Sequence, residues 1–326
     1  MKSVEAGTQE HRTVSVVIPA RNEGNGIASV VAAVSGQMNV DASIEVIVVD
    51  DGSFDDTAQR AQAAGAFVIR SADGMEGNPA RARNVGARHS CGDPVVFLDA
   101  DCVPGSAWLA ALLAAHSNGA VIVGGALDLP PGLSLMARCD YYCGSYFTHS
   151  LRPAAWVPHH PPNNISVRRG AFFSTAGFAE RAPLSYTNEE RYWQAELRRA
   201  GEAIFFQPQA AVLHYNRPGF GNLLRRSYRW GYTALEAKAE TEANRARWLF
   251  GRPKLVIAVA PILPFAFTAH IVATWLRAGS FEPALMTPII LVSRMAYVAG
   301  MVIGGLRWLR ARGSASRADR PSPRWQ

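Results

Sequence analysis

Between residues 13 and 123, short apolar runs rich in β-branched side chains alternate with segments of helical length. The runs cover residues 14–18, 44–49, 66–69, 95–98 and 121–123. They are apolar throughout rather than at every second position, which is the signature of strands buried on both faces. Interleaved with helices, they predict an α/β architecture with a parallel sheet covered on both sides. Three of the runs stop at a polar cluster: Pro19-Ala20-Arg21-Asn22-Glu23 after the first, Asp50-Asp51-Gly52-Ser53 after the second and Asp99-Ala100-Asp101 after the fourth. In an open sheet of this kind ligands bind beyond the carboxyl ends of the strands, so the clusters predict one site on one rim.

From residue 127 to 216 the regularity drops, and Pro130-Pro131, Pro158 and Pro161-Pro162 exclude a long helix. One helix is expected over 188–200, closed by Gly201 in the position after its last turn. Two strands, 203–206 and 210–214, should follow. Beyond Arg217 the character changes. Residues 223–238 mix Arg225, Arg226 and Arg229 with Tyr228, Trp230 and Tyr232, as in a helix lying among lipid headgroups. Two long apolar stretches come next, 255–276 and 284–306, each near the roughly 20 residues that cross a bilayer. Pro261, Pro264 and His270 interrupt the first, and Pro288 and Arg294 the second. Kinked spans, a re-entrant hairpin and two buried helices of a soluble domain all fit this pattern. Arg245, Arg247, Arg252 and Lys254 precede the stretches, and Arg307, Arg310 and Arg312 follow them, which places both flanks on the cytoplasmic side.

Charge sharpens the division. The chain has 326 residues, 48% of them hydrophobic, enough for a full core, and a net charge of +7. Acidic residues dominate the rim clusters while arginines crowd the region after Arg217. That asymmetry favours an anionic membrane surface over nucleic acid as a partner, and no nucleic-acid-binding fingerprint is present. The polar first twelve residues carry no signal or anchor pattern, so the amino-terminal half is expected in the cytoplasm. Cys91, Cys102, Cys139 and Cys143 read as free, mostly buried thiols, because Cys139-x-x-x-Cys143 lacks the second pair of a structural zinc site.

Asp99 and Asp101 at a strand end can hold a hard divalent cation, Mg2+ or Mn2+, that grips a diphosphate; a solvated turn is the plain alternative. In Asp50-Asp51-Gly52-Ser53-x-Asp55, one carboxylate can accept hydrogen bonds from a base or ribose, and the same turn can cap the helix starting near Asp56. Arg81, Arg83 and Asn84 stand on the next helix, where arginines suit diphosphate oxygens.

Val14-Ser15-Val16-Val17-Ile18-Pro19-Ala20-Arg21-Asn22-Glu23, Val48-Val49-Asp50-Asp51-Gly52-Ser53 and Phe97-Leu98-Asp99-Ala100-Asp101, in that order, resemble the nucleotide-sugar half of the family 2 glycosyltransferases. The resemblance covers residues 13–216. It implies the GT-A fold, a mostly parallel central sheet flanked by helices, here with a C-terminal helical membrane hairpin. It also implies inverting transfer of a sugar from a nucleotide diphosphate sugar. Carried onto matching positions, Pro19, Arg21 and Glu23 would line the nucleoside pocket, Asp51 would hold the base, Asp99 the ribose or sugar, and Asp101 the metal. Relatives often carry a metal-contacting histidine where His214 ends its strand. The family's acidic pair falls on Glu189-Glu190 at the start of the 188–200 helix. This makes Glu190 the expected base, with Glu in place of the usual Asp and Glu189 a competitor. Arg226-Ser227-Tyr228-Arg229-Trp230 resembles the Arg/Trp element of membrane-bound members, near the diphosphate and acceptor, and equally an interfacial girdle. Asn163, Asn164 and Ser166 are candidates for polar contacts to donor or acceptor, and His159-His160 for the site or for a surface loop.

These readings divide the chain into a polar tail (1–12), a GT-A catalytic domain (13–216), interfacial amphipathic helices (217–252), a two-helix transmembrane or re-entrant hairpin (253–308) and a disordered basic tail (309–326). They predict a metal-dependent glycosyltransferase on the inner membrane, its catalytic domain facing the cytoplasm. The acceptor would be a lipid or lipid-linked glycan. A sugar nucleotidyltransferase and a catalytically silent nucleotide-sugar-binding module are the rival classes.

Overall fold

The computed structural model describes residues 12–70, 77–181, 183–216, 219–241 and 247–318. Nine strands form one sheet: β1 (Thr13–Ala20), β2 (Ser43–Asp50), β3 (Phe67–Arg70), β4 (Val95–Leu98), β5 (Cys102–Pro104), β6 (Ile122–Asp128), β7 (Ala155–Val157), β8 (Asn164–Val167) and β9 (Ile204–His214). Their order is β3-β2-β1-β4-β8-β6-β9-β5, with β7 also on β9. The flanking helices are α1 (Ile27–Ser35), α2 (Thr57–Ala63), α3 (Pro79–His89), α4 (Trp108–Ser117), α5 (Leu135–Gly144), α6 (Arg169–Phe173) and α7 (Glu190–Arg199). The C-terminal part adds α8 (Phe220–Thr241), α9 (Arg247–Phe250), α10 (Pro253–Ala258), α11 (Leu263–Arg277), α12 (Glu282–Leu285) and α13 (Thr287–Ala318).

The apolar runs are continuous because the sheet has a core on each side. Val14, Val16 and Ile18 of β1 join Ile27, Trp108 and Leu112 on one face. Val17 joins Ile47, Phe97, Phe172, Phe178 and Trp193 on the other. The parallel run β3-β2-β1-β4 brings the ends of β1, β2 and β4 to one rim.

Beyond β4 the sheet becomes mixed: β6 and β9 pair parallel, but three short strands run the other way, which the apolar runs did not reveal. β8 runs antiparallel between β4 and β6, and β5 and β7 run antiparallel to β9. The irregular stretch 127–216 supplies β7 and β8, whose three and four residues are too few to show a period. The two strands expected over 203–206 and 210–214 are one, β9, whose pairing with β6 shifts register between Gly125 and Ala126. Pro208, with no N–H to donate, falls among the residues that this shift leaves without a β6 partner. The helix expected over 188–200 forms as α7, with Gly201 behind it at φ 93°.

In the C-terminal part, the first apolar stretch does not make one long helix. It is split into α10 and α11, of six and fifteen residues, the second starting at Leu263-Pro264. Among the described residues one helix, over Thr287–Arg312, is long and apolar enough to cross a membrane, with mean hydropathy 1.8. It packs tightly on α8: a Cβ added to Gly231 would lie 1.8 Å from the Tyr297 carbonyl oxygen, and one on Gly304 1.8 Å from that of Tyr232. The charge inside the apolar stretch is sheltered, since Arg294 is buried and its guanidinium meets the hydroxyls of Ser227 and Ser293 at 3.4 and 3.1 Å. α13 continues to Ala318, so the tail expected to be disordered begins as helix. Residues 319–326, residues 1–11 of the polar tail, and Arg245 lie outside the described residues.

Four imidazoles sit in dry surroundings. His116 donates to the Ala120 carbonyl and accepts from the Ser166 hydroxyl, both at 2.7 Å. Burial pushes its pKa down to about 4, and does the same for His149, His159 and His160. An unfolded chain protonates these groups near pH 6.5, so between pH 6.5 and 4 the unfolded state binds protons that the folded state refuses. Glu189, which burial pushes up to about 8, works the other way together with Asp51 and Glu236, which burial also raises, three groups against four. Thermal denaturation should therefore show the melting temperature falling as pH drops from 6.5 towards 4; an unchanged or rising value would contradict this.

Candidate active site

The loops after β1 and β2 are built as one unit. Ser53 Oγ accepts from the Asn22 amide, Asn22 Oδ1 from the Phe54 amide at 2.9 Å, and Thr57 Oγ1 from the Glu23 amide at 2.8 Å. Asn22 adopts φ 56° to make this turn. The β2 loop, with Gln59 of α2 and Arg70 of β3, frames a cleft also lined by Asp50, Gly52, Ser53, Phe54 and Asp55. Phe54 is 88% exposed, and the Arg21 guanidinium lies 5.9 Å from its ring centre. Pro19 pairs with Val49 at the strand end, and Glu23 starts the turn into α1 through its carbonyl. Asp51 is buried, accepts from the Asn78 amide and faces Arg81 at 3.9 Å. Burial raises its pKa, against the pull of the Asn78 amide and of the Arg81 and Arg21 charges.

Beyond β4 the centre is organised by a residue that sequence reasoning placed beside two others without distinguishing it. Arg83 is 3% exposed, and its guanidinium donates to Asp99 Oδ1 at 2.5 Å and to Glu189 Oε1 at 2.7 Å. One side chain thus ties the Asp99-Ala100-Asp101 turn to the start of α7. Burial works against its charge, but Asp99 and Glu189 more than offset this and its pKa is raised. Asn84, by contrast, does not face the site. Its amide is consumed by the backbone of Phe178 on both sides, at 2.9 Å each, and by Glu180, so it shapes the 177–180 loop.

The two adjacent glutamates have opposite protonation tendencies. Burial first, then the neighbouring charges of Glu190 and Asp99, push Glu189 up to about 8 in spite of Arg83. Glu189 thus leans towards its neutral acid form, although Arg83 donates to its Oε1. Glu190 is equally buried, and burial alone would raise it. The hydrogen bond that His159 Nε2 donates, with the Arg191 charge and the Glu190 backbone amide, outweighs burial and holds Glu190 below the ordinary value. Of the two, Glu190 is the carboxyl group whose surroundings favour the ionised form, at a helix start.

Asp101 closes the other side. Its Oδ1 lies 3.6 Å from His214 Nε2 and 3.7 Å from Cys102 Sγ, because β5 pairs Cys102 directly with His214. Asp101, Cys102 and His214 each bring one ligand atom within 4.8 Å of the others. His214 is buried and, among the described residues, has no hydrogen-bond partner at Nδ1, and the Asp101 side chain is 25% exposed. The Asp101 carboxylate and the His214 imidazole at that spacing fit a divalent cation, while the Cys102 thiol, pushed up by burial, packs beside them as S–H. Asp99, also expected as a ligand, is not in this group, since its Oδ1 is bonded to Arg83. Cys102 was read as a plain thiol, and only the β5–β9 register reveals its place.

Asn163 stays at the rim, its carbonyl accepting from the Asp99 amide at 3.2 Å. Asn164 and Ser166 do not: Asn164 bonds Trp108, Ala126 and Ala210, and Ser166 bonds His116, all inside the core. His160 is likewise buried, its ring between the carbonyls of Gly125 and Pro161 at 2.9 and 2.8 Å. Helix α8 docks through Thr233, which meets Thr187 at 2.7 Å and Asn188 at 2.8 Å just before the glutamates. On it, Arg226 bonds Asp140 at 2.8 Å and lies 4.6 Å from the Trp230 ring centre, while Arg229 is exposed.

Comparison with known proteins follows the same outline. The family profile described as "Glycosyl transferase family 2" matches residues 15–175. Glycosyltransferase AglE of Haloferax volcanii is 30% identical over 227 residues, covering 67% of this chain and 71% of that protein. The pre-mycofactocin glycosyltransferase of Mycobacterium tuberculosis is 29% identical over 244 residues; the match covers 69% of this chain and 47% of that protein, about half of its length. Among solved structures, the mannosyltransferase PcManGT from Pyrobaculum calidifontis, in complex with GDP-Man and Mn2+, superposes with a TM-score of 0.60 at 18% identity, over 91% of this chain and 88% of that one.

Proposed function

Because this chain belongs to the family 2 glycosyltransferases, and is thus a glycosyltransferase using a nucleotide-sugar donor, we propose that it transfers the sugar with inversion, by a single displacement with Glu190 as base. The observation that carries this reading is the pair of bonds from Arg83, which brings the acidic turn and the glutamate pair to one rim. A divalent cation bound by Asp101 and His214, with Cys102 at its edge, would supply positive charge to the departing diphosphate. The mannosyltransferase of similar fold holds Mn2+ together with GDP-Man, which supports this assignment. Pro19, Arg21, Glu23 and Asp51 would line the nucleoside side, where the cleft beside Phe54 opens, and Arg81 and Arg226 would face the diphosphate.

Glu190 accepts the proton of an acceptor hydroxyl, whose oxygen bonds the anomeric carbon as that carbon's bond to the diphosphate oxygen breaks, the electron pair leaving with the diphosphate. Attack from the face opposite the leaving group inverts the centre. Glu189 is pushed up by burial and its Oε1 is held by Arg83, which favours Glu190 as the ionised group at neutral pH. The geometry and the protonation tendencies therefore favour Glu190 over its neighbour.

The acceptor is a lipid or a lipid-linked glycan, and the enzyme works at the cytoplasmic face of the inner membrane, with residues 13–216 as its catalytic domain. Supporting this, the C-terminal helices expose Ile262, Phe265, Phe281, Leu285, Met295 and Ile303, and α8 is rich in arginine. In washed membranes the chain should stay with the bilayer through high salt; recovery in the supernatant would remove the membrane part and leave the transfer chemistry standing.

The chemistry is tested by first screening nucleoside diphosphates with Mn2+ for thermal stabilisation, then following release of the diphosphate from the matching sugar donor. Glu190→Gln should lower turnover by about 10² to 10⁴-fold while keeping nucleotide affinity. Asp101→Ala should abolish turnover and weaken the Mn2+-dependent part of nucleotide binding. Near-normal turnover in Glu190→Gln would move the base elsewhere.

A further inference from the structure

We propose that His159 is a positioning residue for Glu190: it engages Oε1 through Nε2–H, and so leaves Oε2 as the single oxygen free to take the acceptor's proton. The proposal rests on the reading of Glu190 as base and adds a residue from a loop 31 positions away, which no local pattern ties to α7.

The loop is built to aim this ring. Pro158, Pro161 and Pro162 stiffen the backbone on both sides of His159-His160. The Pro158 carbonyl accepts from Arg198 at 2.9 Å. The Gln194 side chain brackets the next residue, accepting from the His160 amide at 3.3 Å and donating to its carbonyl at 2.7 Å. Arg198 and Gln194 both stand on α7, the helix that starts with Glu190, so the imidazole and its carboxylate share one rigid frame.

The proton arrangement is determined by the neighbours. Arg191, which can only donate, reaches His159 Nδ1 at 3.4 Å, so Nδ1 is the acceptor and Nε2 carries the hydrogen. Burial, then the Arg191 charge, push the imidazole down to about 4, so it is a neutral donor at working pH and not a counter-ion. The charged or titratable groups around the pair are Glu189 and Arg191 from α7, Arg83 from α3 and His160 from the same loop. Arg152 acts on His160 from one side, and Tyr146 and Tyr297 face Arg191 from the other. A neutral donor on Oε1 has two consequences. It stabilises the ionised form of a buried carboxylate, and it stops the carboxyl group from presenting either oxygen at random.

The test reads Glu190 directly and needs no substrate. The full chain, labelled with carboxyl-13C glutamate in detergent micelles, is titrated by NMR, and the Glu190 signal is identified by its absence in Glu190→Gln. In the wild-type chain Glu190 should titrate below the ordinary value for glutamate. His159→Ala should raise the midpoint by about one unit or more. His159→Gln, which keeps an N–H donor without a titrating ring, should bring it back towards wild type. If His159→Ala does not fold by circular dichroism, His159→Met, of similar size and without a donor, takes its place with the same expected rise. A donor-free variant that titrates like wild type, or a Gln variant no different from it, overturns the proposal. The loss of transfer in Glu190→Gln is a separate readout, so failure here leaves the assignment of the base untouched.

Discussion

A guanidinium taken fully out of water is untenable alone, because desolvating such an ion costs several kcal/mol even after the surroundings relax. Arg83 is in that position, and everything around it is arranged to satisfy it. Asp99 neutralises it from the turn after β4, Glu189 offers Oε1 from the start of α7, and the Phe178 ring covers it at 5.5 Å. The demand for partners is what joins segments 106 positions apart. Without it, the acidic turn and the glutamate pair would be two unrelated polar ends of secondary structure.

That junction also separates the roles of neighbouring acids. Asp99 is occupied by Arg83, which leaves Asp101 to face His214 and Cys102 across the β5–β9 pair. Burial among neighbouring acids pushes Glu189 up, while hydrogen bonding holds Glu190, one residue on, down. Opposite tendencies in two identical groups follow from which neighbours each one meets. The C-terminal helices join this frame through Thr187 and Thr233, so the apolar C-terminal part is braced against the rim that carries the glutamate pair.

Much of this was legible in the chain. The continuous runs of β1, β2 and β4 and the polar clusters after them fixed the rim, because a buried parallel strand needs an unbroken apolar run and its ligands collect at its end. What stayed hidden depends on contacts between distant segments. Arg83, Arg81 and Asn84 look alike in sequence, and only the packing of α3 decides that the first meets the acids, the second lies near Asp51 and the third braces a loop. The three- and four-residue strands β7 and β8 carry too little pattern to reveal their antiparallel insertion. His159 and Cys102 gain meaning only from a Pro-bounded loop and a strand register. In the C-terminal half, total hydropathy indicated two spans, whereas the segment ahead of Leu263-Pro264 divides the first into pieces shorter than a bilayer.

The claim that one buried guanidinium clamps the two halves of the site is tested most directly by amide hydrogen exchange on Arg83→Met, a variant of similar length without charge or donors. The account predicts that segments 98–104 and 187–195 lose protection together, while the β1–β2 pair exchanges as in the wild-type chain. If both segments keep their protection in that variant, or only one loses it, the clamp does not exist and the site is held together by something else.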